Sequence, residues 1–260
     1  MIDAAAFPPN YFGNLFLVFV RVSAMLFSAP LLSGRTVPSM LKIGLSVLLT
    51  IVLVPVNQAH FADVPLEWVP LSLLVLKEIG VGVAVGFGAS LVFNAMLVAG
   101  QFMGLQIGFT LANVIDPLFS QSVSLIDQLY TILTGLIFLA IDGHQMLILA
   151  VQQTLDIVPV GTFQVNGPFI DQLVAMTGGV LVAAMRLALP ITAALLLADI
   201  ALGLMARTVP QMNIFVVGLP LKIFIGFFVI LATLPSVGGL TAGLLRSPFV
   251  DIQTLMRLSV

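Results

Sequence analysis

The sequence predicts an all-α, membrane-associated protein whose helices are repeatedly broken. Three observations predict it. Of 260 residues, 60% are hydrophobic and only 8% charged, whereas roughly a quarter are charged in an ordinary soluble domain. Mean hydropathy is +1.20. Long apolar stretches at about 14–33, 41–56, 71–99, 128–152, 170–206 and 213–235 are separated by prolines and short polar links. A water-soluble surface cannot be made from this composition, because it would be one continuous apolar patch.

The same numbers exclude whole classes. A net charge of −2 rules out a polybasic nucleic-acid binder. The chain has no cysteine, which removes disulfides and thiol chemistry. The opening "MIDAAAFPPNYFGN" places no basic residue ahead of the first apolar run, so no cleaved leader is expected.

The first stretch, 14–33, is helical in composition but carries Arg21. An arginine at a bilayer centre costs about 2.5–3.5 kcal/mol on the insertion scale, so Arg21, and Arg186 further on, are each expected to meet a carboxylate or carbonyl inside an assembly. The link 34–42 holds Arg35 and Lys42 and reads as cytoplasmic by its positive charge. Stretch 41–56 is short of the roughly 20 residues that cross a hydrocarbon core, whereas 71–99 and 170–206 exceed that length. Within 71–99, Gly82 and Gly86 are four residues apart and Ala89 follows. In "AGQFMGLQIGF", Gly100, Gly104 and Gly108 repeat at the same interval. On a helix this spacing makes a smooth stripe that lets another backbone approach closely.

The segment "GFTLANVIDPLFSQSVSLIDQL" interleaves Phe109, Ile115 and Phe119 with Asn113, Asp116-Pro117, Ser120, Gln121 and Ser122. Asp-Pro favours a turn, and the apolar residues suit a loop folded into an interior such as a lumen or pore. In 128–152, "AIDGHQM" sets His144 beside Asp142. Zinc needs three or four converging ligands, so a polar turn is expected there, with no metal and no cofactor. Stretch 170–206 carries a second embedded arginine, Arg186, and ends at "RTVPQMNIFVVGLPLK". There Arg207, Pro210, Gln211 and Asn213 gather polar groups at a break before the last stretch, with Asp199 two turns upstream and Lys222 just after Pro220. Pro30, Pro38, Pro117, Pro159, Pro190, Pro210, Pro220 and Pro235 are candidate breakers, since each removes a helical hydrogen bond. "RTVP" occurs twice, at 35–38 and 207–210, but its flanks do not align into a longer repeat.

Read in order, "GLSVLLT", "EIGVGVAVGFG", "AGQFMGLQIGF", "IDP", "LIFLAIDGHQMLILAV", "IVPVG" and "LALPITAALLLADIALGLMARTVPQMNIFVVGLPLKIFIG" resemble the FliR/SctT family of type III protein-export gate subunits. The resemblance is closer to the flagellar members than to the injectisome ones and runs from about Asn14 to Pro235. It implies a single 260-residue export-gate domain, with a FliP-like portion over about 1–165 and a FliQ-like helical hairpin and tail over about 166–260. It further implies assembly with FliP and FliQ, neighbours FlhB and FlhA, unfolded exported proteins as cargo, and a place in the bacterial inner membrane within the flagellar basal body. Residues 109–122 fall where the family has its plug loop, making Phe109, Asn113, Ile115, Asp116, Pro117 and Phe119 channel-lining candidates. Arg21, Glu78, Arg186, Asp199, Arg207, Pro210, Gln211, Asn213 and Lys222 become hinge or subunit contacts, and Gly82, Gly86, Gly100, Gly104 and Gly108 packing positions. A secondary transporter would share broken helices and embedded charges but calls for repeated halves, which the sequence lacks. An intramembrane enzyme is disfavoured because no HExxH, nucleophile or GxGD motif is present.

Overall fold

The structure is a computed structural model and describes residues 10–34, 37–57, 64–65, 67–108, 125–209, 211 and 213–260. These residues form seven α-helices and no strand: α1 (Tyr11–Ser28), α2 (Ser39–Val56), α3 (Trp68–Ile107), α4 (Leu125–Ala140), α5 (Gly143–Ile157), α6 (Gly167–Thr208) and α7 (Ile214–Arg257). The protein is all-α. Five stretches (α1, α2, α3, α6 and residues 216–236 of α7) are long and apolar enough to cross a membrane, and α4 with α5 adds a sixth if the bent pair is one broken span.

Local chemistry explains where these helices start and stop. Pro38 and Pro159 lie in links, as expected for residues that cannot donate a backbone hydrogen bond. Asn166 caps α6: its Oδ1 accepts from the backbone N–H of Phe169 at 2.9 Å, and Pro168 occupies the first turn, where no intrahelical donor is needed. α3 ends at Gly108, whose φ of 99° is left-handed and whose N–H closes onto the carbonyls of Gly104 and Leu105 at 3.2 Å. This is the ordinary glycine stop of a helix.

Three expectations about elements change. The stretch 128–152 is two helices, not one, bent by 68° at Asp142, whose φ of 59° interrupts the helical path. The last stretch does not end at Pro235; α7 runs on to Arg257. Pro190, Pro220 and Pro235 all lie inside helices. A helix in an apolar setting tolerates proline because neighbouring groups and local adjustment serve the freed carbonyl, so these three are not the breakers their identity suggested.

By contacts the chain divides into two compact units. The first comprises Met1–Leu91, Asp142–Thr177 and Leu245–Val260. Its core takes Leu17, Val22 and Met25 from α1, Val81 and Val85 from α3, and Leu147, Val151 and Leu155 from α5. Ile252, Leu255 and Met256 of α7 are buried as well. The tail is tied in by hydrogen bonds to its backbone carbonyls: Gln164 N–H donates to the Ser259 carbonyl at 2.8 Å and Asn166 Nδ2 to that of Leu258.

The second unit comprises Val92–Ile141 and Gly178–Leu244. Its core joins Met96, Met103 and Ile107 of α3 to Ile126 and Tyr130 of α4. Leu187, Ile191 and Leu195 of α6 and Ile230 of α7 complete it. Outside these cores large apolar side chains face outward, among them Trp68 (87% exposed), Met40 (78%), Phe224 (72%) and Leu197 (68%). Water does not tolerate so much of this surface; lipid or neighbouring protein must cover it.

Candidate functional site

Arg21 lies in the middle of α1 and is fully buried, as is Glu78 of α3. Arg21 Nε donates to Glu78 Oε2 at 2.6 Å. Its Nη1 donates to Thr154 Oγ1 at 3.3 Å, and its Nη2 to the Val158 carbonyl at 3.0 Å. The second carboxylate oxygen of Glu78 accepts from the backbone N–H of Gly161 at 2.8 Å, and Lys77 Nζ donates to the Gly161 carbonyl at 3.0 Å. Gly161 has a φ of 81°, a conformation that side chains disfavour. The embedded arginine therefore finds both a carboxylate and a carbonyl, and finds them within its own chain.

One clasp thus holds α1, α3, the end of α5 and the link that follows. A guanidinium is well suited to this task, because its planar fork can satisfy three acceptors at once. Sequence reasoning singled out Arg21 and Glu78 separately, 57 residues apart, but missed Lys77, Thr154 and Gly161. The available signal was "IVPVG", which contains both Val158 and Gly161.

The small-residue stripes sit where helices come close. A Cβ on Gly82 would overlap the Arg21 carbonyl oxygen, and one on Gly86 would lie 2.9 Å from the backbone of Met25 and Ala29. α1 therefore rests directly on this face of α3. A Cβ on Gly100 would overlap the backbone of Asp127 in α4. Gly104 is buried, with Leu105 beside it exposed. Gly108 differs from the packing role assigned to it, because it lies past the last helical residue and ends the helix. Near Gly100, the buried Asp127 Oδ1 and Tyr130 hydroxyl have no hydrogen-bond partner among the described residues. Neither residue was singled out from sequence, because one acid and one tyrosine at the start of a helix carry no distinctive pattern.

The charges of the α6–α7 hairpin rearrange relative to expectation. Lys222 forms an ion pair with Asp199, on the opposite arm of its own chain. Eight residues along one helix, about 12 Å, separate Asp199 from Arg207. Arg207, Gln211 and Asn213 are exposed at the turn, and the Asn213 carbonyl accepts from the N–H of Val216 at 3.1 Å. Arg186 is exposed on α6 and lines a cavity of about 320 Å³ with Val182, Leu187, Leu240 and Leu244. Pro210 and the channel candidates Phe109, Asn113, Ile115, Asp116, Pro117 and Phe119 lie outside the described residues. At the α4–α5 break His144 is exposed and Gln145 Nε2 donates to Asp142 Oδ1 at 3.4 Å, a polar turn.

The family described as "Bacterial export proteins, family 1" matches residues 12–247. The chain is 32% identical over 228 residues to the flagellar biosynthetic protein FliR of Escherichia coli (strain K12), covering 88% of this chain and 87% of that one. It is 32% identical over 226 residues to the FliR protein of Bacillus subtilis (strain 168), covering 85% and 86%. It is 27% identical over 230 residues to that of Aquifex aeolicus (strain VF5), covering 86% of each. With nearly its whole length matched, this all-α membrane protein belongs to family 1 of the bacterial export proteins.

Proposed function

We propose that this chain is a structural, non-enzymatic subunit of the flagellar type III protein-export gate, forming with FliP and FliQ the channel through which unfolded flagellar proteins leave the cell. The observation that carries the proposal is the near end-to-end similarity to flagellar biosynthetic proteins named FliR; those names favour the flagellar system over the injectisome. The exposed apolar side chains of every long helix support it too, because they call for protein neighbours as well as lipid. In this reading residues 1–165 are the FliP-like portion, and α6 and α7, closed by Asp199 and Lys222, are the FliQ-like hairpin. The gate sits in the inner membrane within the basal body, next to FlhB and FlhA. Arg186 and Arg207, exposed on that hairpin, are its subunit contacts.

Affinity purification of the tagged chain from mild detergent tests this assembly. FliP and FliQ are expected to co-purify in fixed ratio, and the chain expressed alone is expected to aggregate or be degraded. A monodisperse folded monomer that recovers neither protein would overturn the assignment.

The plug role of residues 109–122 is a separate part of the proposal. The segment pairs a turn-favouring Asp116-Pro117 with Phe109, Ile115 and Phe119, and hydrophobic constrictions hold back ions by excluding water. Deleting residues 111–121 is expected to preserve assembly yet let ions and small solutes leak, slowing growth. Small-molecule uptake by cells carrying the deletion measures this; an assembled complex as tight as the parent would end the plug reading.

A further inference from the structure

We propose that Arg186 receives a carboxylate carried by an apolar helix of a different subunit, which lies along the outer face of α6. The inference rests on the reading of Arg186 as a subunit contact and names the chemistry of its partner. Arg186 stands near the middle of α6 and is the only charged residue between Asp171 and Asp199. It is exposed, and among the described residues its guanidinium makes no hydrogen bond and no ion pair. One turn to either side, Val182 (53% exposed) and Leu189 (59%) are uncovered as well. Whatever covers those side chains is apolar, because water does not tolerate so much of this surface. It must also bring an anion to Arg186, because a cation left without a partner in an apolar setting is costly.

A lipid phosphate fits this position poorly. An uncharged stretch of helix extends about 20 Å to either side of Arg186, so the guanidinium stands inside an apolar zone and not at the boundary where phosphates lie. A second copy of this chain fits no better. Glu78 and Asp127 are buried, and Asp199 is paired with Lys222. The other described acids lie in links or within two turns of a helix end. Among the described residues, then, the chain offers no free acid in the middle of an exposed apolar face. The partner is a helix that does.

The backbone around Arg186 leaves room for it. A Cβ on Gly178, Gly179, Gly238, Gly239 or Gly243 would meet no atom within 4 Å among the described residues. Gly82, Gly86 and Gly100 differ, because this chain itself fills the space above them. Gly179 lies seven residues before Arg186, on the same face of α6. It also borders the cavity of about 320 Å³ whose walls include Val182, Leu187, Leu240 and Leu244. Bare backbone lets another helix approach closely, and the apolar cavity accepts one of its side chains. A guanidinium forks onto a carboxylate through two parallel hydrogen bonds, which fixes the register of the incoming helix.

Cells carrying the full-length tagged chain with the photo-cross-linker p-benzoylphenylalanine in place of Val182 test this. Irradiation followed by mass spectrometry identifies what covers the face. The expected product joins this position to an apolar helix of a different protein, with an Asp or Glu within two turns of the cross-linked residue. Arg186→Glu is expected to lower recovery of that protein with the tagged chain by about thirty-fold or more, the effect of breaking a buried charge pair. Arg186→Lys should keep most of the recovery, and exchanging the partner's acid for Arg should restore it to Arg186→Glu. That exchange decides the matter if Arg186→Glu alone fails to accumulate. A cross-link confined to lipid or to a second copy of this chain, or a partner segment without an acid, would overturn the proposal. So would unchanged recovery with Arg186→Glu, or an exchange that rescues nothing. A parent chain that recovers FliP and FliQ yet cross-links here only to lipid would retain the export-gate reading and lose this inference. One that recovers neither, yet cross-links to an acid-bearing helix of another protein, would do the reverse.

Discussion

Arg21→Met and Glu78→Met, made singly, are each expected to destabilise the protein by about 3–5 kcal/mol, the cost of leaving one member of a buried ion pair without its partner. Both side chains are fully buried, so neither stranded charge can turn to water. Without Arg21, Glu78 keeps only its bond from Gly161. Without Glu78, Arg21 keeps Thr154 and the Val158 carbonyl, which supply no negative charge. The double variant Arg21→Met, Glu78→Met should recover much of the loss, because apolar residues of similar volume often replace a buried pair at little cost. Melting in detergent and the amount accumulated in membranes measure all three. Single variants that melt with the parent would mean that this pair is solvated, and a double variant worse than both singles would mean that the clasp acts through its hydrogen bonds and not its charge.

Gly82→Val is expected to separate α1 from α3. The added side chain must begin where the Arg21 carbonyl oxygen already lies, with Ala24 and Met25 close behind. A backbone atom cannot swing aside like the end of a flexible side chain. The loss should therefore exceed the roughly 1–3 kcal/mol usual for overpacking a filled core. Gly203→Ala offers the contrast: among the described residues no atom lies within 4 Å of the new methyl group, and alanine in a helix interior gains about 0.5–1 kcal/mol over glycine. Accumulation and melting of the two variants should move in opposite directions. A Gly82→Val protein as stable as the parent would show that α1 and α3 do not pack through this face.

These two expectations are connected. The Arg21 carbonyl that bars a side chain at Gly82 belongs to the residue whose guanidinium holds Glu78, one turn before Gly82 on α3. Close helix approach brings the ion pair within reach, and the pair fixes the register of that approach. Neither half is intelligible alone. "EIGVGVAVGFG" holds the acid and both glycines within nine residues, so the receiving face could be read from sequence, but nothing in it says that α1 is the helix received.

Composition and local pattern determined a good deal by themselves. Sixty per cent hydrophobic residues with 8% charged dictate a membrane setting, because apolar surface on this scale is unfavourable in water. Helical class, the positions of α1, α2, α3 and α6, and the family all follow from runs and motifs that are local in the chain. What only the tertiary structure decided is pairing and continuity. Arg21 could have met any buried acid; it meets Glu78, 57 residues away. Asp199 has a cation two turns along its own helix in the sequence, Arg207; in the fold it pairs with Lys222 across the hairpin. Pro235 looks like a stop, yet α7 continues past it, while the polar turn at Asp142 divides one apolar stretch into two helices. The physical reason is the same in each case. A residue's type sets what a conformation or a burial costs, but the packing around it decides whether that cost is met.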